Sequence, residues 1–261
     1  MISLAVISLA AVGLGETSRR HKAADGNLWG LDRFRGGGLI RGPCARRACI
    51  ALTFDDGPEH STTPRVLDEL DRRGVRATFF VVGRRFDGDG PIAERNREVL
   101  RDVWRRGHMV GNHTYTHPLM DRLDERSITR EIERTDRVIT ETLGVRTFLF
   151  RAPYGAMQTP AARHAVYSRG LTPVFWAIDT RDWAAHSPEE VLANFRAGLD
   201  ESPRGGVVLF HDTLPRTTQA LPLVFDEIAA RNEQRRTRGL PPYEFVGLDE
   251  LWEPLRPSRA H

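Results

Sequence analysis

The chain has 261 residues, of which 40% are hydrophobic and 28% charged, with a formal net charge of +3. That length supports one large α/β domain or two small ones, each able to bury a core, and the composition excludes a disordered or fibrous chain. So small a net charge gives no bulk-charge argument for nucleic acid, which is not an expected partner.

Residues 1–15 are small and apolar, with Ile2, Leu4, Val6, Ile7, Leu9, Val12 and Leu14. As a helix they would span roughly 20 Å, short of the ~30 Å hydrocarbon core, so the segment reads as the core of an export signal and not as a membrane span. The basic stretch that normally precedes such a core is missing. Export to the medium or the cell envelope is the resulting expectation, with no stable membrane span. Residues 16–43 look like an irregular arm around Gly36-Gly37-Gly38. The only two cysteines, Cys44 and Cys49, fit either a disulfide across a short loop or a reduced pair, with Cys49 packing at the start of the first strand.

From residue 44 to 255 the pattern is that of one domain, followed by a tail over 256–261. Short apolar runs predict strands at Ile50–Phe54, Ala77–Val82, Met109–Gly111, Thr147–Phe150, Thr172–Ile178, Val207–Phe210 and Phe245–Gly247. Helices are punctuated between them. Thr63 precedes Pro64 as a cap and Gly74 ends that helix. Ile128, Ile132, Val138, Ile139 and Leu143 form the buried stripe of another, stopped by Gly144. Ser187-Pro188-Glu189-Glu190 is a capping box. Alternating β and α units imply a parallel sheet, open or closed into a barrel.

Unusual polar residues fall where strands end. Asp55 and Asp56 follow the first run, with Gly57-Pro58 behind them; adjacent carboxylates that are buried need a cation nearby. His113 and His117 follow the third, Arg151 the fourth in Arg151-Ala152-Pro153-Tyr154-Gly155, Asp179 and Asp182 the fifth before Trp183, and His211-Asp212 the sixth after Leu209. Each has a plain alternative: a turn, a helix face, a structural ion pair, a capping residue. Together, at the C-terminal ends of parallel strands, they predict a convergent active site. One Asp with a His-x-x-x-His pair makes three ligands and leaves positions open, the catalytic pattern for a metal.

The ordered set Thr53–Pro58, His113–His117, Arg151–Gly155, Asp179–Trp183 and Leu209–Asp212 resembles the five motifs of the polysaccharide deacetylase family, carbohydrate esterases built on a NodB-like domain. The resemblance runs from about Cys44 to Leu251. It implies a distorted (β/α) barrel of about seven parallel strands and one divalent metal, zinc foremost, with cobalt, nickel or manganese also suited. It further implies Asp56, His113 and His117 as ligands, Asp55 as general base, Arg151 as its orienting partner, and His211 as general acid paired with Asp182. The Tyr154 backbone N–H would meet the oxyanion, and Trp183 with Leu209 would form the pocket for the acetyl methyl. The implied substrate is an N-acetylglucosamine-containing glycan of peptidoglycan or chitin type, acetate is the implied product, and a monomer is expected. The rival readings are an O-acetyl esterase on acetylated xylan using the same site, a non-haem iron oxygenase, whose jelly-roll pattern is not seen, and a non-catalytic glycan-binding module, which would need neither Asp55, Arg151 nor His211.

Overall fold

The computed structural model describes residues 38–40 and 47–254, with the backbone alone described for 38–40 and 252–254. The expected export signal, most of the arm, Cys44 and the tail lie outside the described residues. Cys49 is disulfide-bonded.

In chain order the elements are β1 (Gly38–Ile40), β2 (Ala48–Asp55), α1 (Thr63–Arg73), β3 (Thr78–Val81), α2 (Pro91–Arg105), β4 (Met109–Asn112), α3 (Glu125–Leu143), β5 (Leu149–Phe150), α4 (Pro160–Tyr167), β6 (Thr172–Pro173), β7 (Ile178–Asp179), α5 (Pro188–Glu201), β8 (Gly205–His211), α6 (Pro215–Thr237), β9 (Tyr243–Phe245) and β10 (Trp252–Pro254), with single 3-10 turns between several of them. The main sheet runs β6-β5-β4-β3-β2-β8-β7, and β9 pairs with the start of β2, on the edge whose end β3 occupies. Every pairing in it is parallel. This is the expected distorted barrel of seven parallel strands, with β9 added. All eight residues of β2 are buried, as a central strand covered on both faces requires. Phe54 lies in register with Phe79 and Phe210, with ring centroids 5.0 and 5.7 Å away, so a row of aromatics crosses three strands one residue before Asp55 and His211.

Three expectations need correction. The single strand predicted at Thr172–Ile178 is two: β6 closes one edge of the sheet beside β5, and β7 closes the opposite edge beside β8. Residues 174–177 carry the chain across, with the Val174 N–H donating to the Phe150 carbonyl at 2.8 Å and the Ala177 N–H to the Val207 carbonyl at 2.9 Å. Pro173 is the cause: it has no N–H to donate, which confines it to an edge and ends the run. Thr63 does not cap α1; Thr62 takes the N-cap position, and the Thr63 hydroxyl is diverted to Asp212. The arm is not wholly irregular either, because Gly38–Ile40 pairs antiparallel with Trp252–Pro254. By contrast Gly74 and Gly144 end α1 and α3 in the left-handed conformation at φ 64° and 70°, and the Ser187 hydroxyl accepts from the Glu190 N–H at the start of α5.

Among the described residues no helix is long and apolar enough to cross a membrane.

Candidate active site

Sheet register brings the predicted residues together. Asp55 ends β2 and His211 ends β8, and the two are direct register partners. Asn112 ends β4 opposite Phe150 of β5, and the Arg151 N–H donates to the Asn112 carbonyl at 3.0 Å, so His113 and Arg151 leave the sheet side by side. Side chains alternate along a strand, so Thr53 and Asp55 share one face while Phe54 faces the other way. The fully buried Arg151 guanidinium uses that shared face: Nη1 donates to Asp55 Oδ1 at 2.7 Å and to Thr53 Oγ1 at 2.8 Å, and Nε donates to the Val174 carbonyl at 3.0 Å. Its plane rests over the Phe80 ring, 4.3 Å from the centroid. Burial pushes the Asp55 carboxyl up from the ordinary carboxylate range, and the Arg151 charge opposes that push.

The His-x-x-x-His pair is not on a helix. It brackets a loop with φ of 67° at Thr114 and 62° at His117, and Asp56 (φ 75°) and Tyr154 (φ 60°) are also left-handed. Four non-glycine residues in this sparsely populated region mark stored backbone strain at the site. His113 Nδ1 lies 2.7 Å from the Arg151 carbonyl oxygen, which only accepts; Nδ1 therefore carries the proton and Nε2 presents a lone pair. Burial lowers the His113 pKa to about 3 and also lowers that of His117, in both cases against the Asp56 charge.

Both Nε2 atoms face a carboxylate. Asp56 Oδ1 is 3.2 Å from His117 Nε2 and 3.5 Å from His113 Nε2, and the three donor atoms lie within 4.8 Å of one another. Asp56 Oδ1 is buried with no hydrogen-bond partner. Three electron-rich atoms packed together in this way repel unless a cation sits among them. One carboxylate oxygen and two imidazole nitrogens therefore fit a divalent ion such as zinc, with room for further ligands.

His211 stands beside this cluster. Its Nδ1 lies 2.7 Å from Asp182 Oδ1, and its backbone N–H donates to Asp182 Oδ2 at 2.6 Å. Burial alone would lower the His211 pKa; the Asp182 hydrogen bond and charge, with Asp55 and Asp56 beyond, outweigh it and raise the pKa to about 9. At the rim, Tyr154 is 69% and Trp183 59% exposed, and the Tyr154 ring packs 4.7 Å from His117, while Leu209 is buried in β8. Asp179 stays out of the cluster, its Oδ1 accepting from the Arg181 N–H at 2.9 Å.

Residues 42–174 match the family model described as polysaccharide deacetylase. A chitooligosaccharide deacetylase of Azorhizobium caulinodans is 36% identical over 178 residues, which cover 67% of this chain and 79% of that protein. The chain belongs to the polysaccharide deacetylase family. The peptidoglycan-N-acetylglucosamine deacetylase PgdA of Listeria monocytogenes is 32% identical over 203 residues, covering 78% of this chain but only 38% of that longer protein. Among solved structures, a family 4 carbohydrate esterase from Streptomyces lividans in complex with acetate superposes with a TM-score of 0.61 at 33% identity, over 72% of this chain and 91% of the other.

In this polysaccharide deacetylase fold several further side chains support the cluster, Thr53 and Asp212 from within the motifs and Thr217 from outside them. Thr53 relays the Arg151 contact onward, its hydroxyl donating to the Val208 carbonyl at 2.7 Å. Thr217, from the first turn of α6, donates to Asp182 Oδ2 at 2.6 Å. Asp212 takes no part in the His211 pair. Its carboxyl accepts from Thr63 and lies under Gly57, and burial pushes its pKa up to about 7. A Cβ on Gly57 would come within 2.2 Å of Asp212 Oδ2. Gly57→Ala is therefore expected to cost about 1–3 kcal/mol through overpacking and to displace the Asp55-Asp56 turn. A fall in both melting temperature and metal stoichiometry would show this, whereas an unchanged melting temperature would contradict it.

Proposed function

We propose that this chain is a metal-dependent hydrolase that removes acetyl groups from N-acetylglucosamine-containing glycans and releases acetate. The observation that carries the reading is the meeting of Asp56, His113 and His117 beside an Asp55–Arg151 pair and a His211–Asp182 pair. The relatives named for peptidoglycan and chitooligosaccharide deacetylation support the substrate class.

Asp56, His113 and His117 would hold the ion, which when bound supplies polarisation of the acetyl carbonyl and acidifies water toward a pKa of about 7. Asp55 takes the proton from the attacking water. Arg151 fixes the orientation of Asp55, and its charge works against the cost of burying the carboxylate. The Tyr154 backbone N–H faces the negative charge that builds on the carbonyl oxygen, a donor worth about 3–4 kcal/mol in such sites. His211, kept protonated by Asp182, hands its proton to the leaving nitrogen as the C–N bond breaks, leaving acetate and a free amine. Trp183 and Leu209 bound the space for the acetyl methyl.

Acetate release measured in parallel on chitooligosaccharides, peptidoglycan and acetylxylan, with and without a chelator, tests this. The expected result is release from the N-acetylated glycans that stops with chelator and returns on adding zinc or cobalt. Release from acetylxylan alone would make the enzyme an ester hydrolase, and no release from any glycan would leave a binding module.

A further inference from the structure

The backbone N–H groups of the three residues between His113 and His117 are all hydrogen-bonded. The Thr114 N–H donates to Asn112 Oδ1 at 2.8 Å. The Thr114 and Tyr115 carbonyls each accept at 3.1 Å, from the Gly83 and Arg84 N–H groups. The remaining two N–H groups, of Tyr115 and Thr116, converge on one side chain from α3: Glu131 Oε2 accepts both, at 2.9 and 2.6 Å, and Oε1 accepts the Thr116 hydroxyl at 2.9 Å. Gly83 allows the close approach, since a Cβ there would come within 2.7 Å of Thr135 Oγ1 and 2.8 Å of the Tyr115 ring. Glu131 belongs to a helix that contributes none of the three candidate ligands, yet among the described residues it is the only charged side chain that grips the backbone between the two imidazoles.

We propose that Glu131 is the positioning residue of the His113–His117 loop, holding the left-handed turns at Thr114 and His117 so that both Nε2 atoms face Asp56. The proposal rests on the metal-dependent reading above. Without the carboxylate, two N–H groups lose their acceptor and the strained loop relaxes toward ordinary backbone angles, spreading the ligands. Loss of such a support is expected to weaken metal binding about 10–100-fold. Glutamine is the informative replacement: its single carbonyl oxygen can accept both N–H groups while its amide donates to the Thr116 hydroxyl, so all three contacts survive without the charge.

The experiment is metal affinity of the full chain, read by competition with a chromophoric chelator for zinc, alongside the melting temperature of the metal-free protein. Glu131→Ala should raise the zinc Kd about 10–100-fold, and Glu131→Gln should stay within a few-fold of wild type. If Glu131→Ala does not fold, Glu131→Asp, one methylene too short to reach both N–H groups, carries the same expectation. A Kd for Glu131→Ala or Glu131→Asp equal to that of wild type overturns the proposal, as does Glu131→Gln binding as weakly as Glu131→Ala. A wild-type protein that binds no zinc at all would instead remove the metal-dependent reading itself.

Discussion

Replacing Asp55 by Asn should cut acetate release by about 10²–10⁴-fold, the usual contribution of a positioned base, while the protein still takes up one equivalent of metal. The substitution is nearly isosteric, and the amide oxygen can still accept from Arg151, which holds Asp55 at 2.7 Å. What disappears is the ability to accept a proton from water. The ligand atoms of Asp56, His113 and His117 are untouched, so metal stoichiometry and chemistry separate cleanly in this variant. Turnover close to wild type with metal bound would move the base elsewhere; loss of the metal would mean that Asp55 belongs to the ligand set.

The second large effect concerns the acid. Asp182→Asn should suppress turnover above neutral pH and carry the alkaline limb of the kcat/KM profile to lower pH. In the metal-free protein the His211 pKa is raised to about 9 because the Asp182 contact outweighs burial, which by itself pulls the imidazole below its ordinary value of 6.5. With the charge of Asp182 removed, burial is left with less opposition and His211 is largely unprotonated at neutral pH. The sign for stability follows from the same linkage. A histidine whose folded pKa lies above its unfolded value contributes stability that is fully present below about 6.5 and is lost as pH rises through about 9. The metal-free wild type should therefore lose melting temperature across that window more steeply than Asp182→Asn. Superimposable pH–rate profiles for the two proteins would show that Asp182 does not set the protonation of His211.

The convergence of the proposed catalytic residues was legible in the sequence because each sits next to an apolar run that names its own strand, and parallel strands all end on one face. Asp55, His113, Arg151 and His211 needed only that rule. Their supports were not legible for a different physical reason. Glu131 stands in Arg130-Glu131-Ile132-Glu133-Arg134, which has the look of any solvated helix face, and only the packing of α3 against the loop gives it backbone N–H groups to hold. Thr217 is a small hydroxyl outside every motif, and Thr53, though inside one, has a role that depends on which neighbours the register supplies. The break in the predicted strand at Thr172–Ile178 did have a signal in Pro173, which a continuous apolar run outweighed. The Thr63 hydroxyl looked like a helix cap because local sequence cannot reveal a buried carboxyl arriving from residue 212.

Because Asp55 and His211 are terminal residues of two directly paired strands, their spacing is set by the sheet ladder and not by the loops that rise beyond it. That separation is thereby uncoupled from the length and sequence of those loops. Changes in the connecting segments that leave β2 and β8 paired should therefore keep the Asp55–His211 separation constant across relatives.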